Sequence, residues 1–97
     1  MTIVILPSAK ADLAAGFAFF EEQQAGLGAY FLESLFSDID SLKIYAGVHR
    51  RVFGYHRLLS QRFTFAVYYS VETGTAYVRA VLDCRRDPAR LRERLGQ

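Results

Sequence analysis

Val78-Arg79-Ala80-Val81-Leu82-Asp83-Cys84-Arg85-Arg86-Asp87-Pro88-Ala89-Arg90-Leu91 joins an apolar strand, a basic corner and the start of a helix within one short stretch. Read with period two, Ala76, Val78, Ala80 and Leu82 share one face of the strand, and Tyr77, Arg79 and Val81 share the other. The first face is suited to burial. Asp87 can accept hydrogen bonds from the free N–H groups of a helix start, and Pro88 at the first helical position has its φ already fixed. A helix is therefore expected near Asp87–Leu95, with Arg85 and Arg86 in the corner between sheet and helix.

Working outward, Glu72-Thr73-Gly74 is a hairpin turn between two strand patterns, Phe63–Val71 and Thr75–Asp83, and Ser60-Gln61-Arg62 is a second tight connection back to Val52–Leu59. These three strands should form an antiparallel meander in chain order. At the other end of the chain, Thr2–Leu6 is a β-branched apolar run stopped by Pro7-Ser8, with Ser8 expected as N-cap of a following helix. That helix should run from about Ala9 to Gln24, with Leu13, Phe17 and Phe20 on one side, and Gly16 should weaken it or admit a close neighbour. Ala25-Gly26-Leu27-Gly28 breaks the chain into a helical hairpin. A second helix to about Tyr45 carries Phe31, Leu35, Ile39 and Leu42 as its apolar stripe, widened by Leu32 and Phe36, with Glu33, Asp38, Asp40 and Lys43 away from the stripe centre.

The expected architecture is a single α+β domain over residues 1–97: a small β-α-α-β-β-β unit whose antiparallel sheet is covered on one face by the helical hairpin, with a short C-terminal helix. A chain with 52% hydrophobic and 14% aromatic residues and a net charge of only +2 has material for a packed core, and lacks the signature of disorder. One cysteine, Cys84, can make no internal disulfide and no zinc site by itself, which fits a reducing cytoplasm. No run approaches membrane-spanning length, and neither a glycine-rich phosphate cradle nor a metal-ligand cluster is present, so no cofactor and no metal are expected. The charge is divided: residues 1–49 carry −4 and residues 50–97 carry +6, the latter entirely from arginine. Such a field suits bidentate contact with phosphate or carboxylate, in nucleic acid or in an acidic protein.

The strand ending in Arg85-Arg86-Asp87-Pro88, preceded in order by Gly54-Tyr55-His56-Arg57-Leu58 and Val67-Tyr68-Tyr69, resembles the RelE/ParE superfamily of bacterial toxins, the toxic halves of type II toxin–antitoxin pairs. The resemblance spans nearly the whole chain and is strongest in its last forty or so residues. It implies a cytoplasmic protein held by a cognate antitoxin whose C-terminal segment orders as it binds, and an assembly of toxin with antitoxin. Family members divide between a branch that cleaves mRNA in the ribosome and a branch, resembling ParE, that poisons DNA gyrase.

Cleaving RNA through its own 2′-OH needs a base, a cation for the developing charge and an acid for the leaving oxygen. Phe65-Ala66-Val67 offers no basic residue in the corresponding strand, nothing after Tyr77 is Tyr or His, and Asp83-Cys84 stands where many members carry His-Gly. The nuclease set is incomplete. The weak catalytic candidates are His56, Arg57 and Arg85, and adjacent strand residues such as His56 and Arg57 should point to opposite faces. The chain therefore reads as closer to ParE, binding DNA gyrase, with a ribosome-dependent mRNA endonuclease or an inactive antitoxin-binding relative as alternatives. Arg57, Arg79, Arg85, Arg86 and Arg90 are the candidate residues for antitoxin and target.

Overall fold

In the computed structural model, which describes residues 1–85 and 88–96, four helices and five strands follow one another along the chain. Strand β1 (Thr2–Ile5) leads into helix α1 (Pro7–Gln23), then α2 (Leu27–Asp40) and the single turn α3 (Leu42–Tyr45). Strands β2 (Arg51–Val52), β3 (Tyr55–Leu59), β4 (Phe65–Glu72) and β5 (Thr75–Asp83) come next, and α4 (Pro88–Leu95) closes the chain. The expected meander is antiparallel, and β1 adds to β5 in parallel, giving one sheet in the order β1-β5-β4-β3-β2.

Local chemistry explains where the elements begin and end. Pro7 sits in the first turn of α1 after Leu6, so the helix starts two residues before the expected Ala9, and Ser8 is not its cap. Glu21, near the end of α1, accepts hydrogen bonds from the N–H groups of Gly26 (3.0 Å) and Gly28 (2.9 Å). A carboxylate thus caps α2 from the preceding helix and meets the positive end of its dipole. The expected second helix is divided at Ser41, whose hydroxyl donates to the Asp38 carbonyl at 2.6 Å, a back-bond that bends helices. The expected strand Val52–Leu59 is likewise divided. Phe53 and Gly54 both take positive φ (52° and 85°) and form a two-residue hairpin, as do Thr73 and Gly74 (47° and 76°).

Both faces of the sheet are covered. The main core joins Leu13, Phe31, Leu35, Ile39 and Leu42 of the helices to Val67, Tyr69, Val78 and Val81 of the sheet. On the other face Ala66, Tyr68 and Ala80 are buried with Leu95 of α4. A bulge corrects the simple alternation in β5: Tyr68 pairs with Ala80 and Tyr69 with Val78, leaving Arg79 as the extra residue. Ala76 and Val78 therefore face the hairpin while Ala80 and Leu82 face α4, and the four do not share one face. Asp38 is also corrected. It is buried, and it accepts a 2.7 Å hydrogen bond from Ser60 in the β3–β4 connection. The helices of the hairpin cross closely, for a Cβ on Gly16 would lie 2.5 Å from the Phe31 ring and one on Gly28 would lie 2.7 Å from the Phe17 carbonyl.

Candidate interaction cleft

β1 is shorter than its partner. Its ladder ends with Leu6 N–H donating to Val78, and the remainder of β5 is covered by side chains of α1 in place of a strand. Ser8 donates its hydroxyl hydrogen to the Arg79 carbonyl at 2.7 Å, and the Asp12 carboxylate accepts the Val81 N–H at 3.0 Å. The same carboxylate receives two 2.9 Å bonds from the Arg94 guanidinium, so one aspartate fastens α1, β5 and α4 together. This hydrogen bonding holds Arg94 firmly protonated, with a pKa above its ordinary value.

Between α1 and α4, over the free end of β5, lies a cleft of about 760 Å³. Its floor is apolar, from Ala15, Gly16 and Phe19 on one side to Leu82 and Leu91 on the other, and Arg57, Arg90 and Arg94 bring positive charge to it. Asp12, Asp83 and Glu93 are also present. Asp12 is committed to Arg94, and Asp83 to Arg85 through bonds of 2.8 and 3.1 Å. Hydrogen bonding to Arg85 holds the Asp83 carboxyl below its ordinary range.

Arg57 reaches the cleft from β3, where it pairs with Tyr68 across the sheet. Its guanidinium donates to the Cys84 sulfur at 3.6 Å, which pushes its pKa up, while its Nε is buried with no partner among the described residues. Burial pushes the neighbouring Tyr68 hydroxyl up, and Arg57 opposes that shift. A buried guanidinium N–H without an acceptor costs free energy, which the Arg57 bond to Cys84 and its neighbour Tyr68 offset in part.

The expected site residues are divided by this geometry. Arg57 and Arg90 line the cleft; Arg85 lies beside it, paired with Asp83 and largely exposed. Arg79 is elsewhere, its guanidinium 5.6 Å from the Tyr55 ring in a second cleft with Phe53, Tyr77 and Leu95. Arg86, and the expected cap Asp87, lie outside the described residues. Among the weak catalytic candidates, His56 stacks on Tyr69 on the hairpin face, whereas Arg57 lies with Tyr68 and Cys84 on the α4 face. The structure does not bring His56 and Arg57 into one site. Sequence reasoning missed Asp12 and Arg94, which hold the cleft together; the signal available was a lone Asp on the first helix facing a run of arginines in the last.

Among the described residues, no helix is long and apolar enough to cross a membrane. No protein-family model matches the chain, and no curated protein is similar to it in sequence. A solved structure is similar: a chain of the chromosomal ParDE TA system from P. aeruginosa, with a TM-score of 0.75 at 16% identity, over 84% of this chain and 92% of that one. The likeness establishes the fold.

Proposed function

We propose that this chain is the toxin of a type II toxin–antitoxin pair of the ParE kind, acting by binding and inhibiting DNA gyrase and neutralised by a cognate antitoxin. The observation that supports the reading most is the cleft: apolar side chains of α1, β5 and α4 beside the Arg57 guanidinium, with Arg90 at its edge. An apolar floor flanked by arginines suits a segment that presents apolar anchors and acidic residues, as an antitoxin tail ordering on its toxin would. The fold of a chain from a ParDE system agrees with this assignment. A binding role is favoured over turnover because His56, the imidazole that could serve RNA cleavage as acid or base, faces the opposite side of the sheet from Arg57 and the cleft beside Arg85. Arg57 and Arg90, with Arg85 beside them, are then the antitoxin contacts, and Arg79 serves the separate second cleft.

The test is binding of the cognate antitoxin that this reading requires to variants whose folding has been checked by circular dichroism. Arg57→Glu with Arg90→Glu should weaken binding at least tenfold, by losing charge-assisted bonds and adding repulsion, while Arg79→Glu should change it less than threefold. Equal effects at both places, or no effect at Arg57 and Arg90, would remove the cleft from the account.

A further inference from the structure

On the opposite face from the cleft, the segment between α3 and β2 is tied to the sheet by a chain of hydrogen bonds. The Gly47 N–H donates to the Tyr69 hydroxyl at 3.0 Å. The same hydroxyl meets Nδ1 of His49, and when that nitrogen carries no proton the Tyr69 O–H is the donor between them. His56 completes the arrangement, donating from its own Nδ1 to the His49 carbonyl at 2.6 Å and stacking on the Tyr69 ring at 5.1 Å. Tyr69 is fully buried, so the anchor is fixed by the core and the segment is the movable partner.

We propose that His49 is a pH-operated clasp: neutral, it fastens residues 47–52 to Tyr69, and protonated, it releases them together with the edge strand β2. A protonated Nδ1 would meet a hydroxyl whose hydrogen already points at it, and the bond could survive only if Tyr69 gave up its own donation. The other titratable or charged groups on this edge of the sheet are an imidazole and two arginines. His56 on β3 faces His49, Arg51 on β2 pairs with His56, and Arg50 precedes Arg51. On the helices packed over this face, Lys43 and Asp40 are paired to each other in solvent, and Asp38 is bonded to Ser60. Neither imidazole hydrogen-bonds a carboxylate among the described residues.

Little else holds the edge. β2 has two residues, paired as Arg51 with His56 and Val52 with Tyr55, and one further bond runs from Arg57 N–H to the Arg50 carbonyl at 2.8 Å. Burial, with His56 adding to it, lowers the pKa of His49 from its ordinary 6.5. A depressed folded-state pKa fixes the sign: the clasp is closed above about pH 6.5 and opens as the pH falls through the lower folded value. Release would detach the Arg50-Arg51 pair, already exposed, from β3.

Backbone amide exchange at Gly47 tests this directly in the whole chain, corrected for intrinsic rates and compared between about pH 7.5 and about pH 5. Protection should fall about five- to tenfold on acidification, the loss expected for one hydrogen bond. His49→Gln keeps an acceptor for Tyr69 without titrating, so its protection should be flat with pH; His56→Phe keeps a ring on Tyr69 and should still respond. A flat wild-type profile, a response that persists in His49→Gln, or one that vanishes in His56→Phe would overturn the clasp. Should a variant fail to fold, the wild-type Gly47 amide shift must follow the His49 ring titration, and an unresponsive Gly47 would equally overturn it.

Discussion

Removing the Asp12 carboxylate is expected to loosen three elements at once. Asp12→Ala leaves the N–H of buried Val81 without its acceptor and frees Arg94 from its bidentate partner. An unsatisfied buried donor costs about 1–3 kcal/mol, towards the lower end here because water can enter from the cleft. The ion pair contributes no more than about 0.5–1 kcal/mol, since the Arg94 side chain is 40% exposed. Together these give a loss of about 2 kcal/mol, or a fall in Tm of roughly 8–16 °C for a domain of this size. Asp12→Asn keeps an acceptor for Val81 and removes only the charge, so it should lose about 0.5–1 kcal/mol. Urea and thermal unfolding followed by circular dichroism would measure both, with an unchanged m-value confirming a native-state effect. An Asp12→Ala protein within about 0.5 kcal/mol of wild type, or an Asp12→Asn protein equally impaired, would refute the assignment of this carboxylate as the fastening between α1, β5 and α4.

Two further outcomes follow from the hairpin. Gly28→Ala gains about 1 kcal/mol of helix propensity but places its Cβ 2.7 Å from a backbone carbonyl, an overpacking cost of about 1–3 kcal/mol; chemical denaturation should show a net loss, and a gain would mean that the helices can separate. Ser34→Ala removes a buried hydroxyl without a partner among the described residues and should stabilise the fold by about 1 kcal/mol, read as a rise in Tm.

Much of the fold was legible because its signals are local. Apolar periodicity placed the hairpin and its stripe of Phe31, Leu35, Ile39 and Leu42, all of which are buried, and Thr73-Gly74 announced the last hairpin. The shifted helix start at Pro7 and the break at Ser41 are local effects, whereas other departures arise where contacts between distant residues outweigh local patterns. Phe53-Gly54 is a two-residue turn, yet Phe is an unusual residue at positive φ, and its ring lies 5.8 Å from the Arg92 guanidinium of α4. The bulge at Arg79 cannot be read from alternation, because Ala80 and Val81 are both apolar and both faces of the sheet are covered. Asp38 looked like a solvated charge on the second helix until Ser60 supplied its partner. For the site, the arginines were visible as a set, but only the fold separates Arg57 and Arg90 from Arg79, and only the fold shows that Arg85 is occupied by Asp83.

The central claim is that this chain acts by binding a DNA-processing target and not by cutting RNA. Inducing it in a bacterial host and pulse-labelling DNA synthesis and protein synthesis separately over the first minutes tests that claim most directly. DNA synthesis failing first, with double-strand breaks, is the result expected of a gyrase inhibitor; protein synthesis failing first while DNA synthesis continues would contradict it and return His56 and Arg57 to consideration as parts of a nuclease.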